Sequence, residues 1–168
     1  MPTVKKVAPQ ISANEIVQSN SKSLNISIAG VTPEFLEVRS FEVDKGRFIS
    51  NSDINSARSY VVIGPDLKEE FFKDNSSSLG EKIRIKDHTY EIIGILKPKG
   101  AVFGSNQDKN AYIPLTTMVN RITGKDPTYG VSLSFISVEA KNKNATSAAK
   151  FQITNLLRQR HKIIRDDD

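Results

Sequence analysis

The sequence predicts an α+β fold with mixed, mostly antiparallel sheets and short helices. Short segments rich in β-branched residues outnumber segments with helical spacing, and only the last helical segment is long. The chain shows no sustained strand–helix–strand alternation with glycine-rich crossings, which a parallel doubly wound sheet would require. These observations together favour antiparallel strands that pack against a few short helices.

The predicted strands are bounded by polar turns or by glycine and proline. Leu24, Ile26 and Ile28 alternate with polar residues, which is typical of a strand with one buried face. In chain order the predicted strands lie at 4–11, 15–18, 24–28, 41–43, 60–63, 82–86, 88–96, 111–113 and 131–140. The last of these carries apolar residues on both faces, which predicts a central strand.

The predicted helices begin at residues suited to a first turn. Pro33, Pro65 and Pro114 each stand where a proline is tolerated in a helix. The helices are predicted at 33–39, 52–54, 64–73, 114–122 and 145–163. Ala149, Ile153, Leu156 and Leu157 form the predicted apolar stripe of the long last helix.

One predicted loop, 98–110, carries apolar residues between glycines. Val102 and Phe103 precede Gly104 in a stretch that is otherwise polar. An apolar pair in a polar loop indicates either a contact site for a partner or a side chain that folds back on the core. We therefore take Val102, Phe103 and Gly104 as candidate partner-contact residues.

Bulk composition describes an ordinary folded chain that we expect to be soluble as it stands. The 168 residues include no cysteine, which excludes disulfides and thiolate metal sites. No apolar run approaches the roughly 18 residues that a membrane span needs. The N-terminus starts almost directly in strand-like sequence and the C-terminus is equally abrupt, so we expect a piece excised from a longer protein.

The motifs of the sequence predict no catalytic residue, no metal site and no cofactor. His88 and His161 share no motif with a carboxylate or a serine, and neither a nucleophile elbow nor a phosphate-binding loop is present. Glu69 and Glu70 are adjacent on a helix and point in different directions. The terminal run at 166–168 offers no cage for a cation.

The net charge of +5 does not by itself predict a nucleic-acid partner. Basic residues cluster at 158–165, but only Phe151 lies in the same helix as an aromatic group for base stacking. Cations at a helix C-terminus are favourable without any ligand. We predict that the chain binds no nucleic acid.

Six segments in sequence order resemble MacB-like ABC transporter permeases. They are GVTPEFLEVR at 30–39, VDKGRF at 43–48, VVIG at 61–64, LGEKIRI at 79–85, EIIGIL at 91–96 and YIPLTT at 112–117. The resemblance spans nearly the whole chain, and none of its segments is catalytic.

The resemblance implies the extracytoplasmic (periplasmic core) domain of a permease embedded in the bacterial inner membrane. It implies a porter-like subdomain at 1–50 and 131–168 and an inserted, smaller Sabre-like subdomain at 51–130. It also implies a homodimeric parent, an ATP-binding subunit or domain in the cytoplasm, and a membrane fusion (adaptor) protein as partner. The domain itself would bind this partner, a transported substrate or both, would transmit ATP-driven motion across the membrane and would not be an enzyme.

The chain departs from the family pattern at both ends. It lacks the usual first helix and strand of the porter part, which we expect to be truncated, and it lacks both flanking membrane spans. The alternative prediction is a free-standing α+β module that binds a peptide or a lipid.

Overall fold

A computed structural model describes residues 2–19, 22–73, 78–102 and 105–161. The strands are β1 Val4–Ser19, β2 Lys22–Val31, β3 Val43–Gly46, β4 Tyr60–Ile63, β5 Lys82–Ile85, β6 His88–Leu96, β7 Ala101–Val102, β8 Ser105–Asn106, β9 Ala111–Pro114 and β10 Phe135–Ala140. The helices are α1 Phe35–Val38, α2 Asn51–Asn55, α3 Pro65–Phe72, α4 Leu115–Met118 and α5 Thr146–His161.

The main sheet runs in the order β10-β1-β2-β9-β4-β6-β3, and β5 pairs with both β1 and β6. Most described pairs are antiparallel, whereas β2 with β9 and β4 with β6 are parallel. β7 and β8 form a separate two-stranded sheet. The predicted fold class, α+β with mostly antiparallel pairing and short helices, is confirmed.

The two predicted N-terminal strands form one long strand, β1. Its pairing with β2 runs without interruption from Gln10 opposite Val31 to Ser19 opposite Lys22. The small and polar residues Ser12, Ala13 and Asn14 separate the two apolar runs in the sequence. They stay in the ladder because β2 supplies backbone partners along this whole stretch.

The chain divides into two compact units, of which residues 8–137 are the larger. In this unit the sheet is buried on both faces. Val61 and Ile63 of β4 belong to one apolar cluster, and Val62 between them belongs to another. Neighbouring residues of a strand point to opposite faces, so β4 is central in the sheet. On the second face Phe35 lies 5.3 Å from Tyr112 between ring centroids, in a tilted pair.

The smaller unit comprises residues 1–7 and 138–168, described at 2–7 and 138–161. Lys5 Nζ lies 2.8 Å from Glu139 Oε1, and Thr3 Oγ1 donates a hydrogen bond of 2.7 Å to Gln152 on α5. Of the predicted stripe on α5, Ala149 is buried, whereas Leu156 and Leu157 are 38% and 45% exposed.

The predicted central strand at 131–140 is wrong in both extent and position. The strand is β10, which starts at Phe135 and stands at the end of the strand order. Phe135 is 60% exposed and Ile136 is 54% exposed. Apolar residues on both faces of a strand permit burial, but burial also requires packed layers on both sides.

The predicted helix at 114–122 changes its winding halfway. After α4 the chain makes a π-helical turn over Val119–Thr123. Gly124 N donates to Val119 O at 2.9 Å, and Gly124 has a φ of 76°, which favours glycine. This turn rotates the side chains that follow α4 relative to a continuous α-helix.

Candidate functional site

The predicted contact loop contains a small hairpin. β7 pairs with β8 in antiparallel register, with Ala101 opposite Asn106 and Val102 opposite Ser105. Of the predicted contact residues, Val102 therefore ends a strand, and Phe103 and Gly104 lie outside the described residues. The sequence predicted the position of this segment but not the paired strands.

A buried carboxylate holds the two strands of the hairpin together at their base. Asp108 is 8% exposed, and its two carboxylate oxygens accept hydrogen bonds from Lys99 N at 2.7 Å and Gly100 N at 2.8 Å. Asn106 Oδ1 in turn accepts from Asp108 N at 2.9 Å, which caps the 3-10 turn Gln107–Lys109. We call Lys99, Gly100 and Gln107–Lys109 the hairpin root.

The hairpin root is fitted closely against the start of α3. A Cβ atom on Gly64 would lie 2.2 Å from Asp108 O, so no other residue fits at position 64 without a shift of backbone. Gly64 N donates to Asn110 O at 3.0 Å, and Asn106 Nδ2 donates to Asp66 Oδ2 at 2.8 Å. The root is thereby joined to the segment that directly follows β4.

Lys99 ties the hairpin root to the segment after α1. Its ammonium group donates to the carbonyl oxygens of Arg39 and Ser40 and lies 4.5 Å from the centroid of the Phe41 ring. Burial, together with the nearby Arg39 charge, lowers the pKa of Lys99 below its usual value. The root is therefore held from two sides, by residues 39–41 and by residues 64–66.

Sequence reasoning missed the residues of the hairpin root. Gly64 was interpreted only as the start of a helix and Asp108 only as part of a polar loop. A glycine directly before Pro65, at the end of an apolar strand, is a signal of close backbone approach that could have indicated the contact. No pattern in the sequence pairs Gly64 with Asp108, because they are distant along the chain.

The described residues contain no group of three or more His, Cys, Asp or Glu that could hold a metal ion. His88 is the first residue of β6, where it pairs with Ile85 and is partly exposed. His161 ends α5. Within the described part of the chain, no helix is both long and apolar enough to cross a membrane.

The chain is similar to known transporter proteins. The family model of the MacB-like periplasmic core domain matches residues 1–156. Macrolide export ATP-binding/permease protein MacB of Shewanella oneidensis is 32% identical over 165 residues, which are 96% of this chain and 24% of that protein. The MacB protein of Neisseria meningitidis is 28% identical over 158 residues, 94% of this chain and 24% of its own length. The chain thus spans about a quarter of the length of these relatives.

Solved structures show the same fold. The periplasmic region of MacB from Actinobacillus actinomycetemcomitans superposes with a TM-score of 0.80 at 23% identity, covering 96% of this chain and 70% of that one. The extracellular domain of a noncanonic ABC-type transporter from Gram-positive bacteria gives 0.79 at 20% identity, covering 95% and 78%. The predicted resemblance and the extracytoplasmic location are confirmed, and the chain belongs to the family of MacB-like periplasmic core domains of ABC transporter permeases.

Proposed function

We propose that this domain binds a partner protein through the tip of the hairpin and transmits ATP-driven motion to or from it. The expected partner is a membrane fusion (adaptor) protein, and the expected contact residues are Val102, Phe103 and Gly104. The observation that carries the proposal is the fixing of the hairpin root from two sides, by residues 39–41 through Lys99 and by residues 64–66.

A contact that transmits motion has to be coupled stiffly to the core. Gly64 directly follows β4, whose residues Val61, Val62 and Ile63 are all 0% exposed. Close-packed interiors have low compressibility and pass displacement on instead of absorbing it. A force on the hairpin would therefore reach the centre of the sheet through a short and rigid path.

The energy source would lie outside this chain. The relatives are named ATP-binding/permease proteins, and the match covers about a quarter of their length. We propose that ATP is hydrolysed by another subunit or domain of the parent transporter, that the parent is a homodimer, and that this domain is not catalytic.

The division into subdomains is also a proposal. A porter-like part at 1–50 and 131–168 and a Sabre-like part at 51–130 would place both ends of the chain in one body. The proposal is supported by the adjacency of β1 and β10, which come from opposite ends of the chain and neighbour each other in the strand order.

The substitution Phe103→Ala tests the hairpin contact in the full-length permease. We expect about tenfold weaker binding to the cognate adaptor protein, because a central aromatic contact is commonly worth that much. The melting temperature should stay within one degree or so, since surface substitutions change stability little. Affinity is measured by surface plasmon resonance with the permease in nanodiscs.

Tyr129→Ala is the matched control, because Tyr129 is an aromatic residue that is 86% exposed at another place in the same unit. It should leave adaptor binding unchanged. Equal losses for both variants, or no loss for Phe103→Ala, would contradict the hairpin contact. A large drop in melting temperature for Phe103→Ala would place that ring in the core instead.

A further inference from the structure

A polar cleft of about 480 Å³ lies in the larger unit, away from the residues of the hairpin root. Its lining residues come from three parts of the fold. Arg58 lies between α2 and β4, Lys82 and Glu91 lie on β5 and β6, and Arg121 lies in the π-helical turn after α4. Three cations from separate elements thus meet at one concave surface.

The positive charge of this cleft is not balanced by its own walls. Glu91 is the one carboxylate among the lining residues, where Arg58, Lys82 and Arg121 contribute three cations. None of these three forms an ion pair with another residue in the described ranges. Arg47, by contrast, is paired with Asp53 at 2.6 Å. The lining of the cleft therefore holds more positive than negative side chains.

The backbone around the cations is fixed. Thr117, which is fully buried, donates a hydrogen bond of 2.8 Å to Arg58 O. Glu91 N donates to Ser59 O at 2.9 Å, which joins β6 to the segment before β4. The Arg121 guanidinium group donates to Ser59 Oγ, so its orientation is set before any ligand arrives. A site with fixed donors loses less entropy when it binds.

Two backbone features bring these side chains to the cleft. Ala57, directly before Arg58, has a φ of 44°, a left-handed conformation that is costly for a residue with a Cβ. Arg121 lies in the π-helical turn Val119–Thr123. Strained residues and π-helical turns occur preferentially at functional sites. Both deviations from regular structure occur at residues that line this cleft.

We propose that this cleft binds a small organic anion through its phosphate or carboxylate group. Arginine side chains present planar donors that match either oxyanion, and the hydroxyl groups of Ser56 and Thr89 add neutral donors. The volume falls in the range of small-molecule sites and exceeds what a bare phosphate ion fills.

Nuclear magnetic resonance titration of the ¹⁵N-labelled chain tests the site, with inorganic pyrophosphate and citrate as separate probes in a buffer free of both. We expect saturable shifts of the amide signals of Ser59, Tyr60 and Arg121. The probe that binds more tightly identifies phosphate or carboxylate as the preferred group. An absence of saturable shifts with both probes would overturn the proposal.

Single substitutions then distinguish a specific binding site from the general attraction of anions to a basic chain. Arg58→Gln and Lys82→Gln change exposed side chains, so folding is preserved, and each should weaken binding about tenfold. Lys125→Gln removes the same charge from an exposed position outside the cleft and should change affinity less than twofold. Equal losses for all three variants, or unchanged affinity in the first two, would refute the site.

Discussion

The hairpin root and the segment 131–140 show opposite relations between sequence and burial. The root is polar, yet Asp108 in it is buried and accepts two backbone hydrogen bonds. The segment 131–140 is apolar and alternating, yet Phe135 and Ile136 are more than half exposed. Polar residues are fixed where their hydrogen bonds are satisfied inside the fold, whereas apolar residues stay exposed where the described chain packs no layer on them.

The difference between the two regions bears on the proposed partner contacts. The hairpin root is fixed by hydrogen bonds and by the close approach of Gly64 to Asp108, which is what the proposed partner contact requires. The edge strand β10 retains apolar surface of the kind that partner contacts use. Stability measurements on matched substitutions test whether the two regions differ as the structure indicates.

The largest effect is expected for Gly64→Ala. Gly64 has a φ of −73°, which alanine adopts freely, so the cost is steric. The added Cβ would meet Asp108 O at 2.2 Å, and overpacking against backbone should lower the free energy of unfolding by about 3 kcal/mol. Urea denaturation at constant m-value measures the loss.

Gly80→Ala is the control for this prediction. Gly80 has a φ of 81° and nothing within 4 Å of an added Cβ, so only backbone strain of about 1 kcal/mol is expected. If Gly64→Ala costs no more than Gly80→Ala, the root is not packed as described.

A smaller effect is expected for Asp108→Ala. The substitution leaves Lys99 N and Gly100 N without their acceptor, which should cost about 2 kcal/mol. Hydrogen exchange of these two amides should accelerate together with the loss of stability. Asp87→Ala, at a side chain 92% exposed, should cost less than about 0.5 kcal/mol. Similar losses for the two aspartates would mean that the carboxylate does not hold the root.

The smallest effect is expected for Ile136→Ala, at about 0.5 kcal/mol or less, because the side chain is 54% exposed. The same change at Ile113, which is 0% exposed, should cost about 2–5 kcal/mol. Thermal unfolding at two protein concentrations measures both. A loss above about 1 kcal/mol for Ile136→Ala that grows with concentration would show that β10 is covered by a second copy in solution.

Patterns that depend on near neighbours in the sequence were predicted well. The boundaries of β4 and β6 agree with the predicted segments 60–63 and 88–96, because apolar runs of strand length between turn residues restrict the alternatives. The predicted strands at 15–18 and 24–28 lie within β1 and β2. That Val102, Phe103 and Gly104 contact a partner stays a prediction.

The sites themselves depend on residues far apart in the sequence. Arg58, Lys82 and Arg121 meet in one cleft because β6 pairs in parallel with β4 and in antiparallel with β5, and because Thr117 and Arg121 donate hydrogen bonds to residues 58–59. Each was, in the sequence, an ordinary surface cation. A charge becomes a candidate ligand-binding group when the fold brings others of the same sign near it in excess of the opposite charges.

The sequence by itself determined the α+β class, the bounds of β4 and β6, and the family, because periodicity, turn residues and ordered motifs are local properties of the chain. Only the tertiary structure decided which elements are buried. Alternation states which face of a strand is apolar, but the sheet order decides whether another layer covers that face, as it does for Ile113 and not for Ile136. The same order of strands places Gly64 against Asp108. It also brings together the residues of the cationic cleft.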